Sequence, residues 1–70
     1  MKTVLELYDA AVASDEAWAN AYKAICPART WPGDFRYTDA AKGEPGSELR
    51  RLYDERCKAF SAWNDAASAA

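Results

Sequence analysis

No histidine occurs among the 70 residues. That removes the side chain most used as a general base and the commonest zinc ligand, so neither a metal nor a cofactor site is predicted. Cysteine is scarce: Cys26 and Cys57 stand 31 positions apart, outside any Cys-x-x-Cys pairing, which leaves a redox centre without a framework. Glycine and proline number three each, and all six fall between residues 27 and 46, so long uninterrupted helices are permitted on either side. No apolar run approaches the roughly 18 residues a membrane span needs. Glu6 and Asp9 break the N-terminal stretch where a secretory signal would carry its apolar region. A soluble cytoplasmic protein with no membrane partner is the expectation.

Excess positive charge is also missing. The net charge is −2, and the cations Arg50, Arg51, Arg56 and Lys58 share their segment with Glu48, Asp54, Glu55 and Asp65. No basic face is left to follow phosphates, and nucleic acid is excluded as a partner on that ground.

What the chain does have is apolar content of 50%, with 13% aromatic residues. That is too rich for a disordered segment. A domain of this size buries only about 60% of its unfolded surface, so its own core leaves it marginal and a partner chain is expected to add burial.

The local signals predict two helices. Thr3 is an N-cap with Glu6 three residues on, a capping-box spacing that starts a helix over 3–25, and Pro27 ends it by biasing Cys26 away from helical angles. Pro45 and Gly46 suit a type II turn, after which Ser47 caps a helix over 47–66 with Glu48 in its first turn. The small residues 67–70 are expected to fray. The connection 26–46 is long for a helix–helix loop, and "TDAAKG" within it fits one helical turn capped by Thr38 or Asp39 and closed by Gly43.

Spacing residues at 100° intervals gives each helix a face. Val4, Tyr8, Val12, Asp15, Ala19 and Tyr22 centre the first, flanked by Leu5 on one side and by Leu7, Trp18 and Ile25 on the other. Leu49, Leu52, Tyr53, Arg56, Phe60, Trp63 and Ala67 form the second. In an antiparallel hairpin with Tyr22 opposite Leu49, Trp18 meets Tyr53, Asp15 meets Arg56, Val12 meets Phe60 and Tyr8 meets Trp63. The one charged residue in the middle of each stripe then faces the other. The apolar arc of the first helix, roughly 160° wide, exceeds what one partner helix covers, and the aromatic loop folding back over the hairpin and a second copy of the chain are both expected to cover the rest. The fold class is therefore all-α, a two-helix hairpin with a structured aromatic connection that dimerises into a four-helix bundle. Leu7, Tyr8, Trp18, Tyr22, Tyr53, Phe60 and Trp63 supply the core or dimer face.

Three constellations invite a chemical reading. Asp15 with Arg56 resembles an acid positioned by a cation, but catalysis needs a further nucleophile or base in a concave pocket, and two packed helices offer little concavity. The pair is read as a register pair that fixes alignment. Cys26 and Cys57 lie about 16 Å apart in this register, too far for a disulfide, and are read as free thiols packed as small apolar groups. The alanines at 10, 13, 17, 21 and 24 form the back of the first helix, as helix-favouring filler or as a surface for close helix approach.

"TWPGDFRY" remains. Pro32 and Gly33 fit the centre of a type II turn between Trp31 and Asp34, which aims Trp31 and Phe35 the same way. The stretch is both a lid on the open end of the hairpin and a rigid aromatic display flanked by cations. Arg29, Trp31, Phe35, Arg36 and Tyr37 are the predicted partner-binding residues, because Trp, Tyr and Arg are the types enriched at interface hot spots. Phe35 is expected to point inward while Trp31 or Tyr37 stays open.

With no catalytic set, the chain is not read as an enzyme. It is read as a small acidic interaction module that forms a homodimer and binds, inhibits or modulates another protein. In size, charge and helical content it is similar to the small accessory proteins of bacteriophages and mobile elements that act on a host regulator or enzyme. The alternative is a structural subunit or adaptor whose partners are its own copies.

Overall fold

The computed structural model describes residues 2–69, and over them the chain is all-helical. Two long helices, α1 (Val4–Ile25) and α4 (Glu48–Ala69), pack against each other. The connection between them carries two single turns of helix, α2 (Pro32–Phe35) and α3 (Asp39–Lys42).

Capping chemistry sets the ends. The Glu6 amide donates to the Thr3 hydroxyl oxygen at 3.1 Å. The reciprocal half of the box differs from the expected form, since the Glu6 carboxylate takes the Thr3 hydroxyl (3.3 Å). At the other end of the connection the Ser47 amide donates to the Glu44 carbonyl (3.0 Å) across Pro45 and Gly46. Gly46 has φ 85°, the left-handed value that the second central position of a type II turn requires. Ser47 then caps α4, accepting from the Arg50 amide at 3.1 Å. The helix continues past residue 66 to Ala69, through three of the four residues expected to fray, 67–70, and residue 70 lies outside the described residues. Alanine, the strongest helix former, dominates that stretch and carries the helix on.

The turn at Pro32–Gly33 is not type II. Gly33 lies outside the positive-φ region, and Pro32 is the first residue of a helical turn in which the Asp34 and Phe35 amides both donate to the Trp31 carbonyl at 3.0 Å. Proline suits that role because its missing N–H is one the first turn of a helix leaves unpaired. Thr38 links the two short helices: its hydroxyl donates to the Phe35 carbonyl (2.7 Å) and accepts from the Ala41 amide (3.3 Å). Gly43, φ 87°, ends α3 where the chain passes so close to α4 that a β-carbon would lie 2.6 Å from the Arg50 nitrogen.

The main cluster of the core lies at the loop end, with Ala11 buried apart from it. Trp18, Tyr22, Phe35 and Ala41 are buried together, with Ala19, Cys26, Leu49, Leu52 and Tyr53 against them. Aromatic faces meet at tilted angles, Trp18 with Tyr22 (4.7 Å), Trp18 with Tyr53 (5.3 Å) and Tyr22 with Phe35 (6.2 Å). Toward the opposite end Tyr8 meets Trp63 at 5.3 Å and Phe60 lies beside Trp63, but no residue of α4 is fully buried. On α1 the buried positions are Ala11, Trp18 and Tyr22. Their face is rotated by about 50° from the stripe centred on Val4, Tyr8, Val12 and Asp15, at 100° per residue. Leu5 and Tyr8 lie off that face and are exposed, and Val4, which shares the azimuth of Tyr22 but stands at the far end of the helix, is exposed as well.

The molecule is long and thin, 43 × 24 × 15 Å. Its Cα radius of gyration is 13.5 Å, against about 11 Å for a compact domain of this length.

Candidate functional site: an aromatic floor with two stacked arginines

Trp18 is the hub of the loop end. It is 2% exposed, and its indole N–H donates to the Ala41 carbonyl at 2.8 Å, which ties α3 onto α1. Two guanidinium groups approach its ring, Arg36 from the loop and Arg56 from α4, each with its Cζ 5.2 Å from the ring centroid. Arg56 also lies over Phe60 (4.8 Å).

Asp15 holds both arginines through one atom. Its Oδ1 accepts from Arg56 Nε at 2.6 Å and from Arg36 Nη2 at 3.1 Å. The structure thus places Asp15 against Arg56 across the helix pair, and it adds Arg36, whose reach onto α1 the sequence did not indicate. The signal available was indirect: once Phe35 turns inward, the next residue is delivered to the rim of the same core.

The other members of the aromatic stretch divide by direction. Phe35 is buried against Tyr22, whereas Trp31 is 74% and Tyr37 79% exposed. Arg36 lies near the Tyr37 ring (5.9 Å) as well. Trp31 folds over Gly33, with its indole nitrogen 2.8 Å from where a β-carbon of residue 33 would stand. Arg29 is exposed on the turn closed by the Thr30 amide on the Pro27 carbonyl (2.9 Å), and it joins no ion pair among the described residues. Of the five residues singled out from this stretch, Phe35 and Arg36 are thus tied into the core and its rim, while Arg29, Trp31 and Tyr37 face outward.

Among the described residues both cysteines are free. The Cys26 thiol donates to the Thr30 carbonyl (3.3 Å) and is half-buried; Cys57 is exposed and so is not packed as a small apolar group. The Cys57 thiol beside Tyr53, with a smaller effect of burial, raises the Tyr53 hydroxyl above the ordinary phenol range. On the outer face of α4, Arg51 bonds Glu48 and Glu55, and the first of these contacts lowers the Glu48 carboxyl. Both groups are fully exposed, and such pairs act chiefly as helix-surface decoration.

The Asp15 bridge has a measurable weight. Asp15→Ala leaves two facing guanidiniums without their counterion and lowers stability by about 2 kcal/mol. That is less than a fully buried pair would lose, because the Asp15 and Arg56 side chains keep 26% of their surface in solvent. Asp15→Leu combined with Arg56→Met costs less than the sum of the single changes in urea unfolding. Strict additivity would show that the two are not coupled.

Comparison with protein-family models, with curated proteins and with solved structures finds no match to this chain. Its function therefore rests on its own residues.

Proposed function

We propose that this chain is a protein–protein interaction module that works by occupying a surface of another protein, in the manner of a small inhibitor or modulator. The observation that carries this reading is the split within one short loop. Phe35 is locked into the core, while Trp31 and Tyr37 on either side of it stand in solvent on a backbone pinned by helix caps. Large aromatics held rigidly in water lose little conformational freedom on binding and bury much area, which makes them effective anchors. Affinity capture from a bacterial lysate tests this. A protein retained stoichiometrically by the wild-type chain is expected to be lost with Trp31→Ala combined with Tyr37→Ala, while the melting temperature stays within a few degrees.

Self-association is the second part of the reading, and the bare end of the hairpin supports it. The chain exposes 4998 Å² of surface, against about 4300 Å² for a compact monomer of its mass. The excess is of the order that one partner contributes to a standard interface, about 800 Å². Val4, Leu5 and Tyr8 on α1 are exposed next to Trp63 on α4, which suits a second hairpin packing alongside to complete a four-helix bundle. Sedimentation at micromolar concentration is expected to give twice the 7.7 kDa chain mass, and Leu5→Glu, at a position 68% exposed, is expected to return the monomer without unfolding it. A wild-type chain sedimenting as a monomer removes this part. A dimer that captures nothing else favours the alternative, a structural subunit of a larger assembly.

A further inference from the structure

Beside the stacked arginines is an open cleft of about 300 Å³, lined by Trp18, Arg36, Tyr37, Lys42, Tyr53 and Arg56. In a chain of net charge −2, three of those six residues are cations. We infer that this cleft binds a phosphate monoester, presented on a side chain of the partner protein. The inference deepens the reading above and rests on it only for the source of the phosphate.

The cations are held in place before any ligand arrives. Arg36 and Arg56 are stacked over Trp18, and each spends one N–H on Asp15 Oδ1. The remaining guanidinium donors make no other hydrogen bond among the described residues, and none of them is buried without a partner, so they face solvent. Lys42 is contributed by the end of α3, which the Trp18–Ala41 hydrogen bond fastens to α1. Among the described residues its one ion-pair partner is Asp39, at 4.0 Å and fully exposed. Such a contact is weak and easily exchanged.

Charge selects the ligand. Two arginines and a lysine less Asp15 leave a charge of +2 around the cleft. A phosphate monoester carries about −1.5 to −2 at neutral pH and offers three acceptor oxygens to three separate cations. A single carboxylate matches only half of that charge, and Asp15 already occupies the position where one carboxylate bridges both arginines. Tyr53 and Tyr37 add an aromatic wall and rim on which the carrier chain can lie.

The test is titration of the full-length ¹⁵N-labelled chain, following the Trp18 indole N–H and the arginine Nε–H signals. The three probes are inorganic phosphate, a phosphoserine tetrapeptide and the same tetrapeptide with glutamate. Saturable shifts confined to Trp18, Arg36 and Arg56 are expected with both phosphate probes. Tighter binding of the phosphopeptide points to a phosphorylated partner, and equal binding points to free phosphate as the ligand. Lys42→Gln, which leaves the Asp15 bridge and the core untouched, is expected to weaken binding about tenfold, as loss of one charge-assisted bond does, while Arg51→Gln on the far face of α4 leaves it unchanged. Non-saturating shifts shared by Arg51, or glutamate and phosphoserine peptides bound equally well, overturn the proposal. Because these probes need no partner, their failure leaves the Trp31 and Tyr37 capture experiment standing on its own.

Discussion

Trp18→Ala leaves the chain largely unfolded at 25 °C. A buried tryptophan replaced by alanine costs about 3–5 kcal/mol, and a domain of 70 residues has only about 4–10 kcal/mol in total. Here the loss is compounded, because Trp18 touches every element of the loop end: Tyr22 on its own helix, Tyr53 and Arg56 on α4, Arg36 after α2, and the Ala41 carbonyl on α3. Circular dichroism should show most of the helical signal gone. Trp18→Phe separates the hydrogen bond from the packing, since it keeps a ring but leaves the Ala41 carbonyl without its indole donor. About 1–3 kcal/mol is expected there, with the fold retained. A Trp18→Ala chain melting within a few degrees of wild type would show that stability resides at the bare end of the hairpin instead.

Trp18 also marks where reading the sequence succeeded and where it stopped. The hairpin was legible because periodicity, caps and breakers agree: Thr3, Pro27 and Ser47 set the ends, and the register that puts Trp18 by Tyr53, Asp15 by Arg56 and Tyr8 by Trp63 matches the contacts at 5.3, 2.6 and 5.3 Å. The rotation of the α1 face was not legible. A helical wheel weighs residues by hydropathy on one helix, whereas the buried face of α1 is set by two neighbours at once, α4 and the connection that lays Phe35 and Ala41 on the Trp18 flank. The conformation of Trp31–Phe35 was ambiguous for a different reason. Proline at the second position of a type II turn and proline at the first position of a helix need the same φ, and only the angles of Gly33 distinguish them. Of the cleft, Arg56 and Asp15 were readable from their place in the stripes. Arg36 was singled out only as a flank of the aromatic stretch; its reach onto Asp15, and the place of Lys42, follow from tertiary packing of a connection with no periodicity of its own and were not readable.

Phe35→Ala and Trp31→Ala, four positions apart in sequence, are expected to fail in opposite ways. Phe35 is 7% exposed and closes the core over Tyr22, and it also sets the backbone that lets Thr38 cap α3. Its truncation removes a buried ring and loosens that cap, for a loss of about 3 kcal/mol in urea unfolding, and any binding by the loop falls with it. Trp31 lies over Gly33 with most of its surface in water, so Trp31→Ala changes stability by less than about 0.5 kcal/mol. Tyr37→Ala behaves likewise, since Tyr37 is 79% exposed at the rim of the cleft. If these two rings meet a partner, each truncation weakens that complex by at least tenfold in Kd at unchanged melting temperature, the behaviour of an anchor that contributes to an interface and not to the fold. Should Trp31→Ala and Tyr37→Ala lose stability in step with binding, the loop is only a lid over Trp18 and Tyr22, and the recognition surface must lie along the helices.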